Sequence, residues 1–150
     1  LKEINIFRTE EGQMMERDFL DRIGNLENLL AQVEQMDVGR LSAVRERLEK
    51  AVEDLRTNVD ANRFEQELIY YLEKYDITEE KVRLANHLAY FTSTLKSDDS
   101  NGKKLGFISQ EIGREINTIG SKANDAPMQQ LVVRMKDELE KVKEQMLNVL

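Results

Sequence analysis

The chain has 150 residues, with 22 lysines and arginines against 29 aspartates and glutamates, one histidine and no cysteine. This length suits one domain, or one domain with an appendage. The missing cysteines exclude a disulfide framework and a cysteine-ligated zinc site. No apolar run approaches the roughly 18 residues of a membrane span, and the first residues lack the architecture of a signal peptide. The net charge of −7 argues against bulk electrostatic binding of nucleic acid but permits a local basic site.

Helical periodicity predicts two consecutive helices in the first part of the chain. A helix over 10–36 is predicted by apolar side chains spaced four, three, four and three residues apart: Phe19, Ile23, Leu26, Leu30 and Val33. After a short break at 37–39, a second stripe predicts a helix over 40–57. So short a break predicts an antiparallel hairpin. Because each helix is charged on its outer face, we expect 1–59 to form a coiled-coil-like arm.

The remainder of the chain, 60–150, is predicted to form a bundle of about four further helices, so the fold class is all-α. Three of them are expected over 61–75, 78–95 and 103–121, and the last begins after Asp125. That last helix carries apolar residues at a/d spacing, at Met128, Val132, Met135, Leu139, Val142, Met146 and Val149. This pattern predicts a coiled-coil-like seam, either inside the protein or against a partner.

Acidic side chains concentrate between Glu65 and His87. Residues 61–80 hold two basic and six acidic side chains, and the spacing of Glu80, Arg83 and His87 places them on one helix face. Oxygen-rich sites of this kind suit Mg²⁺ or Mn²⁺. The same pattern is also typical of a solvated face with ion pairs along one helix. No phosphate loop, GxGxxG, GxSxG or HExxH motif accompanies it.

A basic island follows in the predicted helix over 103–121. Residues 101–122 hold four basic and two acidic side chains. Arginine and lysine can hold phosphate there, while asparagine and glutamine can hold sugar or base edges. Two glycines, Gly106 and Gly113, lie inside the predicted helix, where glycine costs about 0.8–1.0 kcal/mol relative to alanine. They indicate either close packing against another helix or room for a nucleic-acid backbone or ligand.

The segment 110–122, QEIGREINTIGSK, resembles the signature of the YicC/YloC family, which reads approximately QExNRExNTxxSK. The stretches around 63–67, 76–80 and 83–88 and the tail over 131–149 are also similar to that family. The resemblance is most specific over 62–149 and implies the C-terminal half of a protein about twice as long. The missing initiator methionine fits that expectation, and the family's N-terminal α/β half is then the missing partner.

The resemblance implies a bacterial, cytoplasmic, stress-associated endoribonuclease that hydrolyses phosphodiester bonds in structured RNA. It also implies ring-like homo-oligomers, dependence on a divalent cation (Mn²⁺ or Mg²⁺) and no membrane partner. The chain departs from the family pattern at Gly106 and Gly113, where the family carries Asp and Asn. Each replacement removes a polar side chain.

Roles for individual residues follow from the resemblance as hypotheses. The catalytic set is Glu111, Glu115, Arg114 and Lys122. The metal ligands are Glu80, Asp76, His87, Glu111 and Glu115. The RNA-binding set is Gln110, Asn117, Thr118, Ser121, Lys103 and Lys104. Two alternatives stay open: a non-catalytic RNA-binding or oligomerisation module whose catalysis lies elsewhere, and a coiled-coil scaffold.

Overall fold

The structure, a computed structural model, describes residues 10–55, 61–97, 102–123 and 125–148. Its helices are α1 (Glu10–Asp37), α2 (Arg40–Leu55), α3 (Ala61–Tyr75), α4 (Thr78–Lys96), α5 (Gly102–Lys122) and α6 (Ala126–Leu147). These ranges contain no strand, so the all-α prediction is confirmed. None of the described helices is long and apolar enough to cross a bilayer.

Four helices, α1, α4, α5 and α6, surround one hydrophobic core. Each packs against two others, in the cyclic order α1, α4, α5, α6. The core is built from one apolar stripe per helix. Its fully buried members include Phe19, Ile23, Leu26, Leu84, Leu88, Phe91, Leu105, Ile108, Ile112, Ile116, Met135 and Val142. The helical spacing of these residues is the physical reason that the chain forms a bundle.

The first helix, α1, is part of the bundle, whereas the sequence predicted that it would belong to a separate arm over 1–59. The stripe of α1 is buried in the bundle against α4 and α6, because it is wide enough to cover two neighbouring helices. The next helix, α2, turns back at Gly39, whose φ of 82° is left-handed, and packs mainly on α3. The domain boundary expected at 59/60 lies outside the described residues.

The a/d seam of the last helix lies inside the protein from Met128 to Met146, one of the two predicted places. Its last predicted member, Val149, lies outside the described residues. The seam packs against the glycine stripe of α5. A Cβ atom added at Gly106 would lie 3.4 Å from Met146 of α6. One added at Gly113 would lie 3.1 Å from Leu139, and one added at Gly120 would lie 3.0 Å from Val132. These glycines therefore let two antiparallel helices approach closely. Of the two interpretations that the sequence left open, the structure supports close helix packing rather than room for a ligand.

Two turns of the fold are joined through one buried carboxylate. Asp37, at the end of α1, lies 2.7 Å from Nε of Arg40 and 2.8 Å from Nζ of Lys81. Arg40 also donates to the backbone carbonyl of Tyr75. The α1–α2 turn and the α3–α4 turn are thereby held against the first turn of α4, next to the candidate site.

Candidate functional site

The site begins where α4 begins. The carboxylate of Asp76 accepts hydrogen bonds from the backbone N–H of Thr78 at 2.9 Å and from its hydroxyl at 2.6 Å. Asp76 therefore satisfies an N–H of the first turn. These hydrogen bonds lower the pKa of Asp76, and the charges of Lys122 and Lys81 add to them. The capped first turn fixes the direction of Glu79 and Glu80.

Two buried glutamates face each other across the α4–α5 interface. Glu80 on α4 is 3% exposed and Glu115 on α5 is 5% exposed. Arg83 connects them: its Nε atom lies 3.1 and 3.2 Å from the two carboxylate oxygens of Glu115. Its Nη2 atom lies 3.6 Å from Glu80, and its Nη1 atom lies 3.2 Å from Glu79.

A second cation closes the site from the C-terminal end of α5. Nζ of Lys122 donates to Oε1 of Glu80 at 2.8 Å and to the backbone carbonyl of Asp76 at 3.2 Å. The other oxygen of Glu80, Oε2, is buried and has no hydrogen-bond partner among the residues that the structure describes. We call Glu80, Arg83, Glu115 and Lys122 the carboxylate–cation centre.

Charge pairing explains how this centre tolerates burial. An unpaired buried carboxylate is costly, so each glutamate is held by a cation that reaches in from the surface. The side chains of Arg83 and Lys122 are 48% and 32% exposed. The carboxylate of Glu115 raises the pKa of Arg83, by hydrogen bonding first and by charge second. Solvent and any ligand consequently meet the two cations before they meet the carboxylates.

The structure brings together only part of the predicted site. Glu80, Glu115 and Lys122 belong to the centre, whereas the carboxylate of Asp76 is turned to Thr78. The other predicted residues lie on the outer part of α5 or farther along α4: Glu111, Arg114, Gln110, Asn117, Thr118, Ser121, Lys103, Lys104 and His87. Arg114 is exposed and makes a long contact of 3.8 Å with Glu111.

Two of the predicted RNA-binding hydroxyls are used locally. Thr118 donates to the carbonyl of Arg114 at 3.0 Å, and Ser121 donates to the carbonyls of Asn117 and Thr118. Back-bonding of this kind is usual for hydroxyl side chains inside helices. These hydroxyls therefore already have acceptors on their own helix.

The predicted metal ligands do not fit a self-contained metal site. Within the described ranges, no three acidic or histidine side chains form a group that could hold a metal ion. The two buried carboxylates, Glu80 and Glu115, are already paired with Lys122 and Arg83. A divalent cation between them would lie beside two fixed positive charges, which repel it.

Sequence reasoning missed the central role of Arg83. Its helix face with Glu80 is visible in the sequence, but its partner Glu115 lies 32 residues away on another helix. The only available signal is that both residues lie on the polar edge of an amphipathic stripe. The role of Asp37 was missed for the same reason, because two helices separate it in sequence from Lys81, the lysine with which it forms an ion pair.

The fold and the centre define an all-helical domain with a buried, charge-paired glutamate couple between two helices. Residues 33–150 match the family described as "Endoribonuclease YicC-like, C-terminal". The chain belongs to this family.

Two relatives extend the match to nearly the whole chain. The chain is 39% identical over 145 residues to "Probable endoribonuclease YicC" of Clostridioides difficile (strain 630). It is 33% identical over 142 residues to a protein of the same name in Haemophilus influenzae (strain ATCC 51907 / DSM 11121 / KW20 / Rd). Each alignment covers 95% of this chain and 50% of the relative. The chain therefore spans about half the length of these curated relatives.

Proposed function

We propose that this chain is the C-terminal part of an endoribonuclease and that its carboxylate–cation centre holds a phosphate of structured RNA. One observation carries the proposal. Two glutamates from different helices are buried at 3% and 5% exposure, and each is paired with a cation that reaches the surface. Membership of an endoribonuclease family supports the reaction class, which is cleavage of a phosphodiester bond in RNA. Our proposal takes water as the attacking group.

In this proposal Arg83 and Lys122 contact RNA, and Glu115 positions Arg83. Arg83 presents a planar fork of donors that suits phosphate oxygens. Lys122 adds a point charge on the other side of Glu80. Positive groups fixed in advance stabilise the charge that develops on the phosphate during cleavage. Glu115 is then a positioning residue, a role different from the metal ligand that the resemblance suggested.

A proton acceptor is also needed for the attack of water on phosphorus. We assign this role to Oε2 of Glu80, the carboxylate oxygen that is buried without a hydrogen-bond partner in the described part of the chain. The assignment requires that bound phosphate draws Lys122 or Arg83 aside, so that the attacking water comes within hydrogen-bond reach of this oxygen. Such an oxygen can accept a proton without first breaking a hydrogen bond. Lys122, bound to Oε1 of the same carboxylate, keeps it oriented.

The test is cleavage of an end-labelled RNA hairpin by the full-length protein, in separate reactions with Mn²⁺, with Mg²⁺ and with chelator. We expect discrete shorter products from the native protein and none from the Glu80→Gln variant. Glu140→Gln is the matched control, because this side chain is exposed on α6. Undiminished cleavage by Glu80→Gln would contradict the proposal. Full activity in chelator would show that cleavage needs no divalent cation, contrary to the expectation from the family resemblance.

The second candidate is a non-catalytic RNA-binding or oligomerisation module. Deep burial of both carboxylates behind their cations favours it, because the surface offered to RNA is then mainly basic. This module would retain RNA in a salt-dependent manner without cutting it. The ring-like homo-oligomer and the cytoplasmic location stay predictions.

A further inference from the structure

Two exposed aromatic side chains lie on α4 and α5, the two helices that carry the carboxylate–cation centre. Tyr90 on α4 is 46% exposed and Phe107 on α5 is 62% exposed. Nζ of Lys104 lies 5.4 Å from the ring centroid of Tyr90, so the ring and the lysine meet across the helix interface. Lys104 and Phe107 are three residues apart on α5 and so lie on one side of it. We call these three residues the aromatic platform.

The register of the two helices connects the platform to the centre. α4 and α5 are antiparallel: Glu80 pairs with Lys122, Arg83 with Glu115, and Tyr90 with Lys104. Lys104 and Phe107 therefore precede Glu115 by two to three turns along the same interface. At 1.5 Å per residue, the axial separation is about 12 to 16 Å.

An apolar ring that is mainly exposed, such as that of Phe107, forgoes the free energy that burial would give. Single exposed apolar residues are ordinary, but this ring lies one turn along α5 from Lys104, whose Nζ lies over the ring of Tyr90. Aromatic rings with a neighbouring lysine or arginine are the usual means of binding unpaired nucleotides, because each base has a face that can stack. Bases inside a duplex offer no such face.

We propose that Tyr90, Phe107 and Lys104 bind an unpaired nucleotide of the RNA whose scissile phosphate lies at the carboxylate–cation centre. The base stacks on the rings, and Lys104 contacts the adjoining phosphate. At about 3.4 Å per nucleotide of stacked strand, the separation corresponds to roughly three to five nucleotides. The inference rests on the proposed function, since the centre fixes where the cut falls.

The first test measures the affinity of the full-length protein for a hairpin with an unpaired tail, using the Tyr90→Ala and Phe107→Ala variants. Loss of one stacked base weakens RNA binding by roughly 5- to 150-fold, and each variant should fall in this range. Tyr70→Ala is the matched control, because this tyrosine is similarly exposed but lies on α3. Unchanged affinity in both platform variants would overturn the inference.

The second test places 2-aminopurine at each tail position in turn and follows its fluorescence. We expect quenching to be strongest roughly three to five nucleotides from the cut and to disappear in Phe107→Ala. Uniform quenching, or quenching that persists in this variant, would contradict the platform. Light scattering of the same variants tests another occupant: a changed mass with unchanged RNA affinity would make this face a contact between copies, against the proposal.

These measurements separate the platform from the cleavage reaction. RNA that is never cut, yet loses affinity and quenching in the variants, would support the platform and count against the proposed function. Normal cleavage of RNA by platform variants that keep native affinity would support the proposed function and count against the platform.

Discussion

Arg83 on α4 holds Glu115 on α5 through both carboxylate oxygens, at 3.1 and 3.2 Å from a single nitrogen, Nε. Its remaining nitrogens contact Glu79 and Glu80. One guanidinium thus orders three carboxylates from two helices. A lysine at the same position has one nitrogen and cannot reproduce this geometry.

We therefore expect Arg83→Lys to impair RNA cleavage although it conserves charge. Displacing a phosphate-binding group by about 1 Å costs on the order of 100-fold in rate, and we expect a loss of that size in single-turnover cleavage. Arg134→Lys, an exposed arginine on α6, is the matched control and should cleave normally. If Arg83→Lys retained the native rate, the fork geometry would have no part in the reaction.

The depressed pKa of Asp76 predicts a specific dependence of stability on pH. Its hydrogen bonds to Thr78 favour the charged carboxylate in the folded state. The pKa of Asp76 in the folded protein therefore lies below the unfolded value of 3.8. The stabilisation is therefore fully present above about pH 4 and is lost as pH falls through the lower folded pKa. We expect Asp76→Ala to lower the stability by about 1 kcal/mol at neutral pH, as loss of a helix cap does.

Thermal unfolding of native protein and Asp76→Ala between about pH 7 and pH 3 measures this effect. The difference in Tm should be largest at neutral pH and shrink below about pH 4. Asp137→Ala, at an exposed position on α6, controls for the general loss of a charge. A difference in Tm that stays constant over this range would show that the carboxylate charge of Asp76 does not contribute.

The helices were predictable from the sequence because each carries an apolar stripe at helical spacing. The packing partner of each stripe was not, since α1 and α2 both have apolar stripes and, among the side chains that the structure describes, those of α1 enter the core and those of α2 do not. An apolar stripe shows how much surface a helix must bury, but it does not show which helix covers that surface. The stripe on α1 is wide enough to contact two neighbouring helices.

The candidate site was predicted less completely than the fold. Glu80, Glu115 and Lys122 were among the predicted site residues, because carboxylates and a lysine beside a signature are visible in sequence, and the structure places them together. Their mutual geometry depends on the register of α4 against α5, which local pattern does not encode. For that reason the exposed Arg114 was expected in the site and Arg83 was not given its role.

The buried Asp37 offers a test of the junction between the two turns. Its carboxylate serves both Arg40 and Lys81, at 2.7 and 2.8 Å. Asp37→Asn leaves two partly buried cations without an anion. Because a hydrogen bond to a charged group contributes about 1.5–3 kcal/mol, we expect a loss of that order in urea unfolding. Asp21→Asn, at an exposed position on α1, should unfold as the native protein does.

The glycines of α5 allow packing and helix propensity to be separated. Replacing an exposed helical glycine by alanine stabilises by about 0.8–1.0 kcal/mol. Gly24→Ala on α1 should show this whole gain, because nothing lies within 4 Å of the added Cβ. Gly106→Ala should keep most of it, since its neighbour is the flexible end of Met146 at 3.4 Å.

Gly120→Ala should behave in the opposite way. The added Cβ would lie 3.0 Å from Cγ1 of Val132, and a β-branched side chain has little freedom to move aside. Overpacking of a core costs about 1–3 kcal/mol, which exceeds the gain in propensity, so net destabilisation is expected. In urea unfolding, Gly24→Ala should be the most stable of the three variants, Gly106→Ala the next, and Gly120→Ala the least stable. Equal stabilisation by all three would mean that α5 and α6 can separate at no cost, contrary to the close approach inferred at Gly120.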